Sequence, residues 1–148
     1  MSELEGNIAK AKAYLKRFAD SGVMNQVGGM AVAAQDGTTF ETISPIDLQP
    51  LAKVAHGKAK DIDVAAQAAK AAFPAWAAME GGKRKKVLHK IADRIEARAE
   101  EIAFLECIDT GQSLRFMAKA ALRGAENFRF FADKAPDARD GKSLQAPG

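Results

Sequence analysis

The chain has 148 residues, 47% hydrophobic and 28% charged, with a formal net charge of +3. This length supports a single core that buries roughly 70% of the surface an unfolded chain exposes, and the composition excludes a disordered or fibrous protein. The weak positive charge argues against a nucleic-acid partner, because such proteins gather far more positive charge on one face.

In SELEGNIAKAKAYLKRFADSG, Ile8, Ala11, Leu15 and Phe18 recur near one helical face and Gly22 follows as a stop, so residues 1–22 are expected to form an amphipathic helix. The period then changes. GGMAVAAQDGTTFETISP holds two short strand-compatible runs on either side of Asp36-Gly37. That pair is favoured in tight hairpin turns because both residues tolerate positive φ, so a hairpin is expected there. Pro45 and Pro50 interrupt the chain and LAKVA supplies one more short strand, which places short strands and a hairpin over 28–55.

From residue 61 the pattern is helical. Asp61 is placed to cap a helix whose Ile62, Ala65, Ala66, Ala69, Phe73 and Trp76 recur at spacings of three and four. Pro74 is expected to end or kink it near Phe73. After AMEGG, a second helix carries Leu88, Ile91, Ile95, Ala99 and Ile102 on one face and finishes near Thr110-Gly111. A third begins around Ser113, turns Leu114, Met117, Ala121, Ala125 and Phe128 inward, and stops before Pro136. Three helices thus fill 61–135, and 136–148 reads as a loop tail.

The only cysteine, Cys107, makes no internal disulfide, and with His56 and His89 it fills no four-coordinate zinc site without carboxylates. Its neighbours include no histidine and no basic cluster to lower its pKa, so it reads as a small, buried, inert hydrophobe rather than a nucleophile. The chain starts without the apolar core of a secretory leader and has no run near the roughly 20 residues needed to cross a bilayer. A cytoplasmic, metal-free protein with no membrane partner is therefore expected. Lys83 to Lys86, continued by Lys90, Arg94 and Arg98, forms a basic ridge. Asp93, Glu96, Glu100 and Glu101 share the helix, and pairs such as Arg98 with Glu101 make it a solvated face. No aromatic residues interleave with these charges, so a nucleic-acid role for the ridge ranks last.

Taken in order, TFETISP, LAKVA, DIDVAAQAAKAAFPAW, a helix with a basic start and LECIDTG resemble the N-terminal region of the aldehyde dehydrogenase superfamily, over roughly residues 28 to 135. The resemblance implies an α/β parent fold in which this chain, mainly α-helical with an N-terminal β-hairpin, lends its helices to the cofactor-binding domain. The hairpin region would join subunit contacts in a homo-oligomer. In that family a cysteine thiolate attacks a small-molecule aldehyde, hydride passes to NAD or NADP, and a glutamate activates the water that releases the acid. An asparagine in Pro-Trp-Asn supports the oxyanion.

This sequence contains no Pro-Trp-Asn. Glu80 in MEGGK lacks the leucine of the family's Glu-Leu-Gly-Gly and lies too far upstream to be its base. TGQSL has Gly111 and Gln112, but Leu114 stands where the nucleophile of Gly-Gln-x-Cys would be. The chain is thus expected to end before any catalytic or cofactor-binding residue, and by itself to neither oxidise aldehydes nor bind nicotinamide nucleotides.

LRGAENFRFFADKAPDARDG resembles most closely the branch acting on hydroxymuconic-type semialdehydes, whose substrates carry carboxylates. In that branch an arginine shortly before Asn-Phe-x-Phe-Phe-Ala lies near the substrate channel, and it matches Arg123. A guanidinium can hold a carboxylate bidentately. Asn127, one helical turn beyond Arg123 at i+4, can face the same channel as an auxiliary polar contact, and Arg115 is read as surface. The alternative reading is a truncated, non-catalytic helical module that associates with itself or with a full-length relative through bare apolar faces.

Overall fold

A computed structural model describes residues 2–138. Helix α1, Glu3–Ser21, opens on a capping box in which the Ser2 hydroxyl accepts from Glu5 N (3.2 Å) and the Glu5 carboxylate accepts from Ser2 N (2.7 Å). It stops at Gly22, whose φ is +70° and where a Cβ would come within 2.9 Å of the Lys53 carbonyl oxygen. Only glycine fits that close, left-handed corner. Beyond it Val23 N donates to Lys53 O and Ala55 N donates to Val23 O, each at 2.8 Å, which lays the end of α1 alongside the strands.

Four short strands form two separate antiparallel hairpins: β1 (Asn25–Val27) with β2 (Met30–Val32), and β3 (Thr39–Ile43) with β4 (Pro50–Ala55). This corrects the hairpin expected at Asp36-Gly37. A turn does form there, with Gly37 N donating to Ala34 O at 2.8 Å, but β2 and β3 on its two sides do not pair. The Asp36 carboxylate binds its own turn, accepting from Thr38 N (2.9 Å), Thr38 Oγ1 (2.6 Å) and Lys58 Nζ (2.5 Å). Those bonds hold its carboxyl well below the usual carboxylate range, Lys58 contributing most. The first hairpin instead turns at Gly28-Gly29, both at positive φ, as a two-residue loop between twisted strands requires.

The helical part is more divided than its sequence pattern. Helix α2 runs Ala59–Ala78 with Pro74 inside it, so of the end or kink expected near Phe73 the end does not occur. Pro74 sits in the last turns and its ring is exposed, so the missing N–H removes one bond without steric conflict from a neighbouring element. Asp61 is the third residue of α2, not its cap. Its carboxylate reaches back to Lys58 N (2.9 Å) and across to Gln35 N (2.8 Å), stapling the turn to the helix. The expected single second helix breaks at Arg98 into α3 (Gly81–Ala97) and α4 (Ala99–Thr110), and the third divides into α5 (Leu114–Met117) and α6 (Ala120–Lys134). A 3-10 turn, Ala135–Asp137, carries Pro136. Most of the expected loop tail, 139–148, lies outside the described residues.

The core is built from small side chains. Ala92 on α3 and Ala125 and Ala132 on α6 are fully covered, with Ala121 also buried, so these two helices pack closely. Ala103, Phe104 and Met117 fill the α4–α5 corner, while Leu51, Ala52 and Ala55 line the inside of β4. No residue of α2 is buried. Its stripe of Ile62, Phe73 and Trp76 is 66%, 65% and 39% exposed, and α2 touches the rest of the described chain chiefly at β1.

Candidate functional site

Helix α6 has two faces. Inward, its alanines press on α3. Two polar clusters then lock its rotation: Arg129 Nη2 donates to Asp93 Oδ1 (2.9 Å) and Glu96 Oε2 (2.5 Å), and Asp133 Oδ1 meets Lys85 Nζ and His89 Nε2, each at 2.9 Å. These pairs raise the Arg129 pKa, Glu96 contributing most, and lower that of Asp133, chiefly through Lys85. Lys85, His89, Asp93 and Glu96 follow one another at steps of three and four along α3, so one face of that helix reads one face of α6.

With α6 held this way, Arg123 and Asn127 lie on its outer face, one turn apart and both exposed. Neither side chain has a hydrogen-bond or ionic partner among the described residues, so the Arg123 fork is open to a carboxylate. Phe130 and Phe131 follow on the same outer side, 58% and 65% exposed, their rings edge to face with centroids 5.2 Å apart. Lys134 Nζ stands 5.4 Å from the Phe130 centroid. The aromatic pair was missed in the sequence, although its offset from the inward alanines along a 3.6-residue period is visible there.

The other singled-out residues stay apart from this face. Cys107 is half-buried on α4 rather than buried as expected, because the end of that helix is only partly covered, and its thiol has no bonding partner among the described residues. Glu80 precedes α3 and supports it through its backbone, its carbonyl accepting from Lys83 N and Arg84 N. Gln112 and Ser113 form the joint between α4 and α5. Arg115 is exposed, its guanidinium 5.0 Å from the Phe116 ring centroid. The basic ridge is exposed at Lys86, Lys90 and Arg94, and Arg98 pairs with Glu101 at 2.8 and 3.0 Å.

A cleft of about 560 Å³ lies between α1, the β3–β4 hairpin and α4. Leu15, Phe18, Phe40, Leu51 and Leu105 supply apolar wall, and Thr42 Oγ1 donates to Asp109 Oδ1 at 2.9 Å across it. Among the described residues no group of histidine, cysteine and carboxylate side chains could hold a metal, and no helix is long and apolar enough to cross a membrane.

One junction of the fold is a candidate for a nicotinamide dinucleotide's phosphates and does not fit them. A strand runs through a glycine into a helix at β4–Gly57–α2, the kind of junction that can cradle phosphate. Here the Lys58 amide is taken by the Asp61 carboxylate, with the Asp36 carboxylate on the same lysine. With that amide taken by a carboxylate and the Lys58 ammonium paired to Asp36, the junction offers a pyrophosphate neither a free donor nor a free cation.

Residues 31–148 match the aldehyde dehydrogenase family. The chain is 43% identical over 110 residues to NADP/NAD-dependent aldehyde dehydrogenase PuuC of Escherichia coli K12, covering 72% of this chain and 22% of that protein. It is 38% identical over 109 residues to 2-hydroxymuconic semialdehyde dehydrogenase of Pseudomonas sp. CF600, again 72% and 22%. Among solved structures, HpcC of Thermus thermophilus superposes with a TM-score of 0.86 at 32% identity, covering 92% of this chain and 26% of that one. PnpE in complex with nicotinamide adenine dinucleotide gives 0.76 at 38% identity, covering 78% and 24%. The chain spans about a quarter of the length of the relatives it matches. On sequence and fold together, the chain belongs to the aldehyde dehydrogenase family.

Proposed function

We propose that this chain supplies the N-terminal part of an NAD(P)-dependent semialdehyde dehydrogenase, with Arg123 binding the substrate's carboxylate and Asn127 assisting it. The observation that carries this reading is the open Arg123 fork on a helix whose rotation is locked by Arg129 and Asp133. Similarity to a 2-hydroxymuconic semialdehyde dehydrogenase supports a carboxylated substrate, and the complex of PnpE with nicotinamide adenine dinucleotide supports a nicotinamide cofactor. The helices belong to the cofactor-binding domain, while the nucleophile, base and nucleotide site come from the rest of the enzyme, which works as a cytoplasmic homo-oligomer.

The test is a chimaera in which residues 1–148 replace the matched quarter of HpcC, with NADH formation followed at 340 nm. A charge-assisted hydrogen bond contributes about 1.5–3 kcal/mol, or roughly 10- to 150-fold in binding. Arg123→Ala is therefore expected to raise KM for a carboxylated semialdehyde by that factor and to leave a neutral aldehyde nearly unaffected. Equal effects on both substrates reject the role.

A further inference from the structure

The basic ridge of α3 is not neutralised in the way its sequence suggests. The acids that share or follow it are occupied elsewhere: Asp93 and Glu96 bond to Arg129, Glu100 to Lys10 and Tyr14, and Glu101 is divided between Arg98 and Arg17. Of the ridge, Arg98 gains a partner from them. Lys83, Lys86, Lys90 and Arg94 stay exposed, and among the described residues none of these side chains makes a hydrogen bond or an ion pair. Their direction follows from the packing of α3. Ala92 is fully covered where α3 meets α6. At 3.6 residues per turn, Lys83, Lys90 and Arg94 stand about half a turn away from Ala92, and Lys86 about a third. The free cations therefore crown the side of the helix that faces away from the core. Val87 and Ile91, 38% and 37% exposed, run along one edge of the row.

We propose that this face of α3 is a docking surface for an acidic amphipathic helix of a partner protein. Lys86, Lys90 and Arg94 recur at every fourth residue, a rise of about 6 Å per step. Glutamates repeated every fourth residue on a second helix keep that step in phase along the whole row. Opposite charge selects and orients the incoming helix, and Val87 and Ile91 receive apolar side chains from its adjoining edge. Other polyanions match this face less well. A single-stranded nucleic acid finds no aromatic platform beside the cations. An anionic bilayer takes up a helix by its apolar face, and on α3 that face is already packed against α6.

The experiment titrates the intact 148-residue chain into a fluorescein-labelled helical peptide of about 20 residues, long enough to hold a helix in water, with glutamates at every fourth position and leucines along one flank. Fluorescence anisotropy is expected to give a saturable one-to-one isotherm that weakens as salt rises. Exposed ion pairs contribute up to about fivefold each, so Lys86→Gln/Lys90→Gln/Arg94→Gln is expected to weaken binding roughly tenfold. Val87→Ala/Ile91→Ala is expected to weaken it about fivefold. These side chains are exposed or on the apolar edge, so both variants should keep the circular dichroism spectrum of the parent. A peptide of the same composition with its glutamates scattered around the helix is expected to bind about fivefold more weakly. Absence of binding overturns the proposal. Equal affinity for the two peptides also overturns it, because net charge alone then accounts for the attraction, and so does an affinity that either variant leaves unchanged. Tighter binding of a single-stranded oligonucleotide, or of phosphatidylglycerol vesicles, than of the peptide overturns it by giving the ridge to a different class of partner.

Discussion

Gly81, at the start of α3, lies directly against Pro136: a Cβ on Gly81 would come within 2.6 Å of Pro136 Cα and 2.7 Å of the Ala135 carbonyl oxygen. Both obstacles are backbone, so the turn after α6 must move before any side chain fits. Gly124 in the middle of α6 is the opposite case, with open space around its Cβ position. Gly81→Ala is expected to destabilise the fold by about 1–3 kcal/mol through overpacking, and Gly124→Ala to stabilise it by about 0.5–1 kcal/mol through helix propensity. Urea midpoints of the two variants should move in opposite directions, and a shared direction would disprove the packing assignment.

Helix α1 fully buries no residue of its own and adds charged contacts to the apolar ones of Leu15, Phe18 and the Tyr14 ring: Lys10 Nζ and Tyr14 Oη reach Glu100 at 2.5 and 2.6 Å, and Arg17 pairs with Glu101. Lys10 and Tyr14 lower the Glu100 pKa, and Arg98, then Arg17, lower that of Glu101. A folded pKa below the unfolded one means docking that is complete above about pH 4.3 and lost as the pH falls through the folded values. Amide-exchange protection of α1, corrected for intrinsic rates, should therefore drop between pH 7 and pH 3, whereas α6 keeps its alanine contacts. Protection of α1 that is the same at both values would refute electrostatic docking.

Pro74 interrupts the hydrogen-bond ladder inside α2. Proline in a helix interior costs about 3 kcal/mol relative to alanine, and less near an end. Pro74→Ala is expected to raise ellipticity at 222 nm and the protection of Ala71 to Ala78. Unchanged helicity would mean that the break is absorbed without loss.

Cys107 has neither a cationic neighbour bonded to its sulfur nor full access to solvent. Cys107→Ala in the chimaera is expected to leave kcat within about twofold, and alkylation of Cys107 by iodoacetamide to run no faster than that of an ordinary thiol. A tenfold loss of kcat in a correctly folded variant would restore Cys107 as a candidate nucleophile.

Local chemistry made several elements legible from the sequence. The stripe of Ile8, Ala11, Leu15 and Phe18 with Gly22 after it marked α1, LAKVA marked β4, and the ordered set from TFETISP to LECIDTG marked the family. Each of these signals is written within a few residues, as periodicity or as a turn residue. Other features depended on partners distant in the chain. Asp36-Gly37 has the sequence of a hairpin turn and does turn, but β2 and β3 on its two sides stay unpaired, and Asp36 instead pairs with Lys58, more than twenty residues away. Asp61 has a capping sequence, yet it reaches across to Gln35. The outward direction of Arg123 follows from Arg129 and Asp133 gripping α3, a contact that no local pattern encodes. The sequence by itself determined which faces are apolar. Only the tertiary structure decided which of those faces find cover among the described residues, because burial belongs to pairs of surfaces and there α2 carries just one of its pair.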